Sequence, residues 1–289
     1  MKRVALLVLA AVLGGACGKA SDATSTGPLP HPLLWSVEKD GHTTYFFGTM
    51  HAGIDATTRL PAIVWSKLDA APAFAMETDL DDTAASTALA PTTHSLREAL
   101  GDAYWSKLEG ALGRDAARSL EYLPPLVPAA SLSLRGLPPT PAMDKVLSAR
   151  AAGEHKPIVF LEPASRQLAT LGKWFDIKAL KMLLDELPTG EQHARDLLAA
   201  YVAGDERTIL ALSDAEKAEA LRHGYTATEY DHEMADLLYD RSASWIAPLE
   251  RLHAGGGGFV AVGALHLVGP RSVLDLLAHK GYRVTRLAP

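Results

Sequence analysis

The chain has 289 residues, of which 48% are apolar and 21% are charged, and its formal net charge is −6. A disordered chain would hold fewer apolar residues, and the 23 glycines and 18 prolines follow no collagen-like period. The acidic balance, without any Lys/Arg cluster, argues against nucleic acid as a partner. The single cysteine, Cys17, excludes a disulfide framework and a cysteine-based zinc site.

The first seventeen residues have the pattern of an export signal. Lys2 and Arg3 precede an apolar run of ten residues, 4–13, which is shorter than the roughly 20 residues that a membrane-spanning helix needs. Small residues then lead to Cys17, and the whole resembles a bacterial lipoprotein signal peptide, whose cysteine becomes the lipidated N-terminus. We therefore predict a signal peptide at residues 1–17 with lipidation at Cys17; an ordinary secretory signal is the alternative.

Two further boundaries follow from composition. Residues 18–31 are rich in Ser, Thr, Gly and Pro, which predicts a flexible tether. Residues 32–289 are predicted to form a single domain. We expect the mature protein to be held by its lipid anchor at a membrane, facing the periplasm or the cell exterior; a soluble secreted or periplasmic protein is the alternative.

The predicted strands and helices alternate along the folded part. Residues 33–38 (LLWSVE) and 43–47 (TTYFF) flank an Asp-Gly pair, a strong indication of a β-hairpin. Further strands are predicted at residues 73–76, 157–161, 259–262 and 282–287, and helices at 60–70, from Ser95 onward, at 141–152, across 165–253 and at 271–280. The pattern predicts an α/β fold with a mixed sheet flanked by helices, an N-terminal hairpin and a C-terminal βαβ-like unit.

Two motifs of the same form follow predicted strands. Gly48-Thr49-Met50-His51 follows one strand, and Gly263-Ala264-Leu265-His266 follows another near the end of the chain. Ligands of α/β proteins gather at the carboxyl ends of strands, and a glycine there allows close backbone approach. The two histidines therefore predict a metal or catalytic site. The alternative is a pair of histidines that only satisfy loop backbone groups.

Three charged residues lie where the pattern predicts burial. Glu77 and Glu162 each end a predicted buried strand, so each is predicted to be a ligand, a general base or an ion-pair partner; an exposed loop carboxylate is the alternative. Arg241 lies on the apolar stripe of a predicted helix. A guanidinium that faces the core needs a carboxylate, a phosphate or a substrate oxygen as its partner. The alternative is an edge residue whose guanidinium reaches solvent.

Five blocks carry a resemblance to a known family. They are LLWSVEKDGHTTYFFGTMH, AFAMETDL, MDKVLSARAAGEHKPIVFLEPASRQL, RSASWIAPLERL and FVAVGALHLVGPRSVLDLLAHKGYRV. Together they resemble the TraB/GumN family, which is related to the Tiki-type membrane proteases and to the erythromycin esterase/ChaN-like superfamily. Two departures are Pro163, where Thr is common, and Ser242, where Asn is usual.

The resemblance implies a divalent-metal-dependent peptidase or hydrolase of peptides or exported proteins. His51 and His266 would be the motif histidines that bind Mn²⁺, Co²⁺ or Zn²⁺ together with Glu77. Glu77 or Glu162 would act as general base, and Arg241 would orient the substrate or stabilise the oxyanion.

Two other functions stay open at this point. A non-catalytic envelope lipoprotein would use the same fold to bind and sequester a peptide, haem or metal. A structural envelope protein would carry the site as a vestige.

Overall fold

The computed structural model describes residues 27–79, 81–82, 87 and 89–288, so the predicted signal peptide, Cys17 and residues 18–26 lie outside the described residues. Six strands form one sheet in the order β4-β3-β5-β2-β1-β6. They are β1 (Leu34–Lys39), β2 (His42–Thr49), β3 (Phe74–Met76), β4 (Ile158–Phe160), β5 (Phe259–Gly263) and β6 (Arg283–Arg286). The predicted mixed α/β sheet is confirmed.

Helices flank this sheet and fill the long interval between β4 and β5. They are α1 (Ala56–Arg59), α2 (Ala62–Ala70), α3 (Leu96–Leu100), α4 (Asp102–Leu112), α5 (Arg114–Ser119), α6 (Leu126–Ser133), α7 (Met143–Gly153), α8 (Ala164–Trp174), α9 (Ile177–Asp185), α10 (Leu187–Ala203), α11 (Glu206–Arg222), α12 (Ala227–Met234), α13 (Asp240–Ala254) and α14 (Val273–His279). A π-helical segment (Ala235–Tyr239) joins α12 to α13, and a short 3₁₀ turn (Ala264–His266) follows β5.

The N-terminal hairpin forms as the Asp-Gly pair predicts. β1 and β2 are antiparallel, and their ladder closes with Lys39 opposite His42. Asp40 and Gly41, the two residues between them, have φ values of +50° and +81°. A two-residue turn with both φ values positive matches the right-handed twist of the strands, and Asp and Gly tolerate this conformation best.

Four strands of the sheet run parallel. β2 pairs with β5, β5 with β3, and β3 with β4. β4 lies at the edge of the sheet and is only partly buried, with Phe160 41% exposed, so its predicted burial is wrong. In β2, β3 and β5, by contrast, consecutive side chains near the carboxyl ends are buried instead of alternating with exposed ones, as in a sheet that helices cover on both faces. The strands accordingly contribute neighbouring buried aromatic side chains, namely Phe46, Phe47, Phe74 and Phe259. Parallel pairing brings the carboxyl ends of these four strands to one edge.

A second apolar core lies among the helices. It joins side chains of α3 to α6 with side chains of α8, α9, α12 and the π segment, including Trp105, Leu168, Phe175 and Leu237. The predicted helical interval 165–253 is thus divided into several helices that form a layer beside the sheet. No helix in the described part of the chain is long and apolar enough to span a bilayer.

The folded domain begins before the predicted boundary at residue 32. Leu29 is buried, and its backbone N–H donates to the carbonyl of Arg59 over 2.8 Å. Arg59 Nε in turn donates to the carbonyl of Gly27 over 2.5 Å. The end of the predicted tether, residues 27–31, therefore includes side chains that pack on the domain.

Candidate functional site

The two glycine–histidine motifs lie side by side at the carboxyl edge of the sheet. In the parallel pair β2–β5, Gly48 is opposite Val262 and Thr49 is opposite Gly263. Gly48 makes this approach possible, because a Cβ there would lie 3.1 Å from the backbone Cα of Ala264. The two motifs, more than two hundred residues apart in the chain, thus form one structure.

Glu77 follows β3 directly and lies next to the second motif. Its Oε1 accepts from the backbone N–H of Gly263 over 2.8 Å. Its Oε2 accepts from Gln167 Nε2 over 3.0 Å and from Arg241 Nη2 over 2.7 Å. Burial alone would raise the pKa of Glu77, but the charge of Arg241, with smaller contributions from His266 and other neighbours, lowers it to about 2. Glu77 is therefore an ionised carboxylate with both oxygens engaged.

Arg241 is a fully buried cation at the start of α13. Its Nε and Nη2 both donate to Glu162 Oε1, over 2.7 and 2.5 Å, and Nη2 also donates to Glu77. Its Nη1 donates to the carbonyl of Leu237 over 3.1 Å and lies 3.3 Å from His266 Nε2. A guanidinium has five N–H donors. All five have partners, so no donor of Arg241 is left for a substrate oxyanion in this arrangement.

The helix that carries Arg241 is interrupted just before it. The π-helical segment Ala235–Tyr239 holds one extra residue per turn and directly precedes α13. Such segments are rare and recur at functional sites, because they change which side chains face a neighbouring element. Arg241 is 3% exposed, so the predicted burial of this arginine on the apolar stripe is confirmed.

Glu162 follows β4 and completes the ion-pair cluster. Its Oε1 accepts from Arg241, whereas its buried Oε2 has no partner among the described residues. Burial raises the pKa of Glu162, and the nearby charge of Arg241 offsets this only in part. Glu162 is thus the carboxylate of the cluster that takes up a proton more readily.

His266 is held between Arg241 and Ser242. Its Nδ1 lies 2.9 Å from Ser242 Oγ, and its ring packs on Trp245 with ring centroids 4.3 Å apart. Because an arginine N–H can only donate, Nε2 accepts and the proton is assigned to Nδ1, which donates to Ser242. Burial lowers the pKa of His266 to about 3, so the ring is neutral at physiological pH.

His51 has a different environment from His266. Its Nδ1 is paired with Asp144 Oδ2, and Asp144 Oδ1 accepts from Thr49 Oγ1 over 2.8 Å. Burial lowers the pKa of His51, but the charge of Asp144 and the bond to it outweigh burial, so that the pKa is raised above 6.5. The buried Nε2 has no partner among the described residues. His51 is therefore oriented by a carboxylate on one side and has a free ring nitrogen on the other.

The donor atoms in this arrangement do not form a ligand set for a metal ion. Among the described residues, no group of three or more His, Cys, Asp or Glu side chains is placed to hold one. The physical reason lies in the contacts given above. Arg241 already binds both glutamates and His266. Of the predicted ligands, His51 Nε2 and Glu162 Oε2 are buried atoms with no partner among the described residues, and His51 Nδ1 has only its ion pair with Asp144. The predicted divalent ion stays a prediction, and we derive no step through it.

Comparison with known proteins places this site in a family. The profile of the TraB/PrgY/gumN family matches residues 33–286, which include every site residue described above. The chain belongs to the TraB/PrgY/gumN family. The similarity to this family that the sequence blocks indicate is thereby confirmed.

Two related proteins match this chain over most of its length. The uncharacterized protein YbaP of Escherichia coli strain K12 is 26% identical over 265 residues, which cover 84% of this chain and 96% of YbaP. YbaP of Shigella flexneri is 27% identical over the same shares. No solved structure matches significantly.

Sequence reasoning missed the partners of the site residues. Asp144 pairs with His51, Gln167 donates to Glu77, and Thr49 donates to Asp144. Each of these partners lies in a different element from the residue that it contacts. Asp144 stands in one of the blocks that carry the family resemblance, which was the only indication of its role. Ser242, which departs from the family pattern, is the partner of His266.

Proposed function

We propose that this family member is a hydrolase that acts on peptides or exported proteins in the cell envelope, with His51 as the group that transfers the proton. One observation carries the proposal: Asp144 holds His51 Nδ1, while the buried Nε2 has no partner among the described residues. A carboxylate-oriented imidazole with one free nitrogen is the arrangement of a general base. The peptide class rests on the resemblance to Tiki-type proteases, and the envelope location rests on residues 1–17.

The reaction follows from the tautomer that Asp144 selects. With the proton on Nδ1 directed at Asp144, His51 Nε2 accepts a proton from water as the water oxygen bonds to the peptide carbonyl carbon. The imidazolium then gives this proton to the leaving amine as the C–N bond breaks. Asp144 stabilises the imidazolium between these steps. The charge of Asp144, which raises the pKa of His51, stabilises the imidazolium that forms when Nε2 takes the proton.

The ion-pair cluster supports this site without taking the proton. Glu77 is already neutralised by Arg241 and bonded to Gly263, so it is a weak base. We assign the cluster the role of fixing the ends of β3, β4 and β5 against α13, which sets the position of the second motif beside His51.

A binding function is the second candidate, and one observation favours it. The side chains of the site are closed off from solvent, with His51 6% and His266 1% exposed. Turnover requires this site to open in every catalytic cycle. A protein that sequesters a ligand opens only to take the ligand up and to release it. The test below separates the two functions.

The test is a cleavage screen with the full chain in detergent. A peptide library of defined sequences is incubated with wild type, His51→Ala and His253→Gln, and products are identified by mass spectrometry. His253 is the matched control, because it is also a buried histidine but bonds to Thr44 and to the Lys39 carbonyl, away from the site. We expect new peptide termini with wild type and His253→Gln, and none with His51→Ala.

Two outcomes would contradict the proposal. Equal cleavage by wild type and His51→Ala would remove His51 from the reaction. Retention of peptides by wild type without new termini would favour the binding function instead.

A further inference from the structure

Three side chains that the family resemblance implies for metal or acid–base chemistry converge on one guanidinium. Glu77 Oε2 lies 2.7 Å from Arg241 Nη2, and Glu162 Oε1 lies 2.5 Å from the same nitrogen. His266 Nε2 lies 3.3 Å from Nη1. These are two carboxylate oxygens and one imidazole nitrogen, the donor types that Mn²⁺, Co²⁺ and Zn²⁺ bind in proteins. The centre of this donor set is filled by Arg241.

Contacts with several neighbouring groups fix the guanidinium in this position. Its stem comes from α13, its Nη1 is tied to the carbonyl of Leu237, and its plane lies near the Trp245 ring, with Arg241 Cζ 5.0 Å from the ring centroid. All side chains of the cluster are buried, so each charge depends on its partner and not on solvent. A divalent ion between the same three donors would place like charges together unless Arg241 left the cluster.

We infer that Arg241 is the resident cation of the cluster and occupies the place of a divalent ion between Glu77, Glu162 and His266. The wild-type protein then binds no ion on these three ligands, which are not placed to hold one while they surround the guanidinium. Removal of the guanidinium lets the three side chains close on an ion and so creates a metal site. This inference goes beyond the proposed hydrolase function. It is measured by ion content, so its failure and the failure of the peptide-cleavage test are distinguishable.

The substitution Arg241→Ala leaves two buried carboxylates without a cation and frees the imidazole nitrogen of His266. A divalent ion with water in its remaining positions satisfies all three donors. The substitution Arg241→Lys is the matched control, because it shortens the side chain yet keeps a positive charge in the cluster. Arg241→Lys should therefore bind no added ion.

The experiment measures bound Co²⁺ in five full-length proteins: wild type, His266→Ala, Arg241→Ala, Arg241→Lys and the double variant Arg241→Ala/His266→Ala. Each is incubated with Co²⁺, separated from free ion by gel filtration, and analysed by mass spectrometry of the metal and by visible absorption. We expect wild type, His266→Ala and Arg241→Lys to hold equal amounts of Co²⁺ per chain. We expect Arg241→Ala to hold about one further ion per chain, lost in the double variant, with the absorption bands of an ordered Co²⁺ site.

Two results would overturn the inference. A lower ion content in His266→Ala than in wild type would show that the wild-type protein uses this histidine as a ligand. No increase in Arg241→Ala would show that the guanidinium does not keep an ion out. If Arg241→Ala does not fold, Arg241→Gln replaces it in the same comparison, because glutamine is neutral like alanine but fills more of the space.

Discussion

Replacing Asp144 by Asn tests how the protein sets the proton affinity of His51. The substitution keeps the shape of the side chain and an oxygen that accepts from Thr49 Oγ1. It removes the negative charge that faces His51 Nδ1, and it places an N–H donor there. His51 Nδ1 must then accept, so its proton moves to Nε2, the nitrogen that the proposed reaction needs free.

The size of the effect follows from the contact that is lost. A buried hydrogen bond to a charged group contributes about 1.5–3 kcal/mol, and one pKa unit corresponds to about 1.4 kcal/mol. The pKa of His51 should therefore fall in Asp144→Asn, because the protonated ring loses the stabilisation that this contact supplies. Burial, which already lowers this pKa, then outweighs the remaining attraction of Glu77.

The stability of the protein should follow the same pKa. In wild type the folded-state pKa of His51 is raised above its ordinary value of 6.5. A raised pKa contributes stability that is fully present below the unfolded-state pKa and is lost as pH rises through the folded-state pKa. The difference in unfolding free energy between wild type and Asp144→Asn should thus be largest on the acid side of pH 6.5 and should shrink at alkaline pH.

The assay is ¹⁵N NMR of labelled histidine, which reports the protonated nitrogen and the pKa together, with urea unfolding at several pH values. Asp176→Asn is the control, because Asp176 caps the N-terminus of α9 and accepts from the Ala179 N–H, outside the site. An unchanged His51 pKa in Asp144→Asn, or an equal fall in Asp176→Asn, would refute the reasoning.

Three further predictions concern the rest of the site. Ser242→Ala should lower the unfolding free energy measured in urea by about 1–3 kcal/mol, because it leaves His266 Nδ1 buried without a partner. A loss below about 0.5 kcal/mol, which is the range of ordinary surface substitutions, would contradict this. Gly48→Ala should lower the unfolding free energy by about 1–3 kcal/mol in the same assay, because the new Cβ would lie 3.1 Å from the backbone of Ala264. A urea unfolding curve equal to that of wild type would contradict the close approach of the two motifs. Wild type should lose stability on acidification from about pH 4.5 toward 2, because the pKa of Glu77 is lowered from 4.5 to about 2 in the folded protein. The stability that such a carboxylate contributes is present above its unfolded-state pKa and is lost as pH falls through its folded-state pKa. In Glu77→Gln the unfolding free energy should fall less steeply over this pH range, and an equally steep fall would contradict the assignment.

The positions of the main site residues were predictable from the sequence because strand ends and helix stripes are local patterns. The two Gly-x-x-His motifs follow β2 and β5, and parallel pairing brings them together. Glu77 directly follows β3, and Glu162 lies two residues after the end of β4 at the same edge. Arg241 lies on an apolar stripe and is buried as that stripe predicts. Each expectation needs only the periodicity of one element and the rule that parallel strands share an edge.

The pairing between these residues was not predictable, because it depends on contacts between distant elements. Asp144 on α7 reaches His51 beyond the end of β2, ninety-three residues earlier, and no local pattern links the two. Likewise, the apolar stripe predicts that Arg241 needs an acceptor. It does not predict that two glutamates, a histidine and a backbone carbonyl accept from all of its N–H groups. The π segment before α13, whose Leu237 carbonyl accepts from Arg241, has no recognised sequence signature in this chain.

The most direct test of the whole account is peptide cleavage in the presence of a chelator. The full chain is incubated with a peptide identified in the library screen, with and without excess EDTA, and wild type is compared with His51→Ala. The account predicts equal cleavage by wild type in both conditions, because the proton passes through His51 and the cation of the cluster is Arg241. Cleavage that EDTA abolishes and added Mn²⁺ or Zn²⁺ restores, or cleavage that persists in His51→Ala, would contradict it.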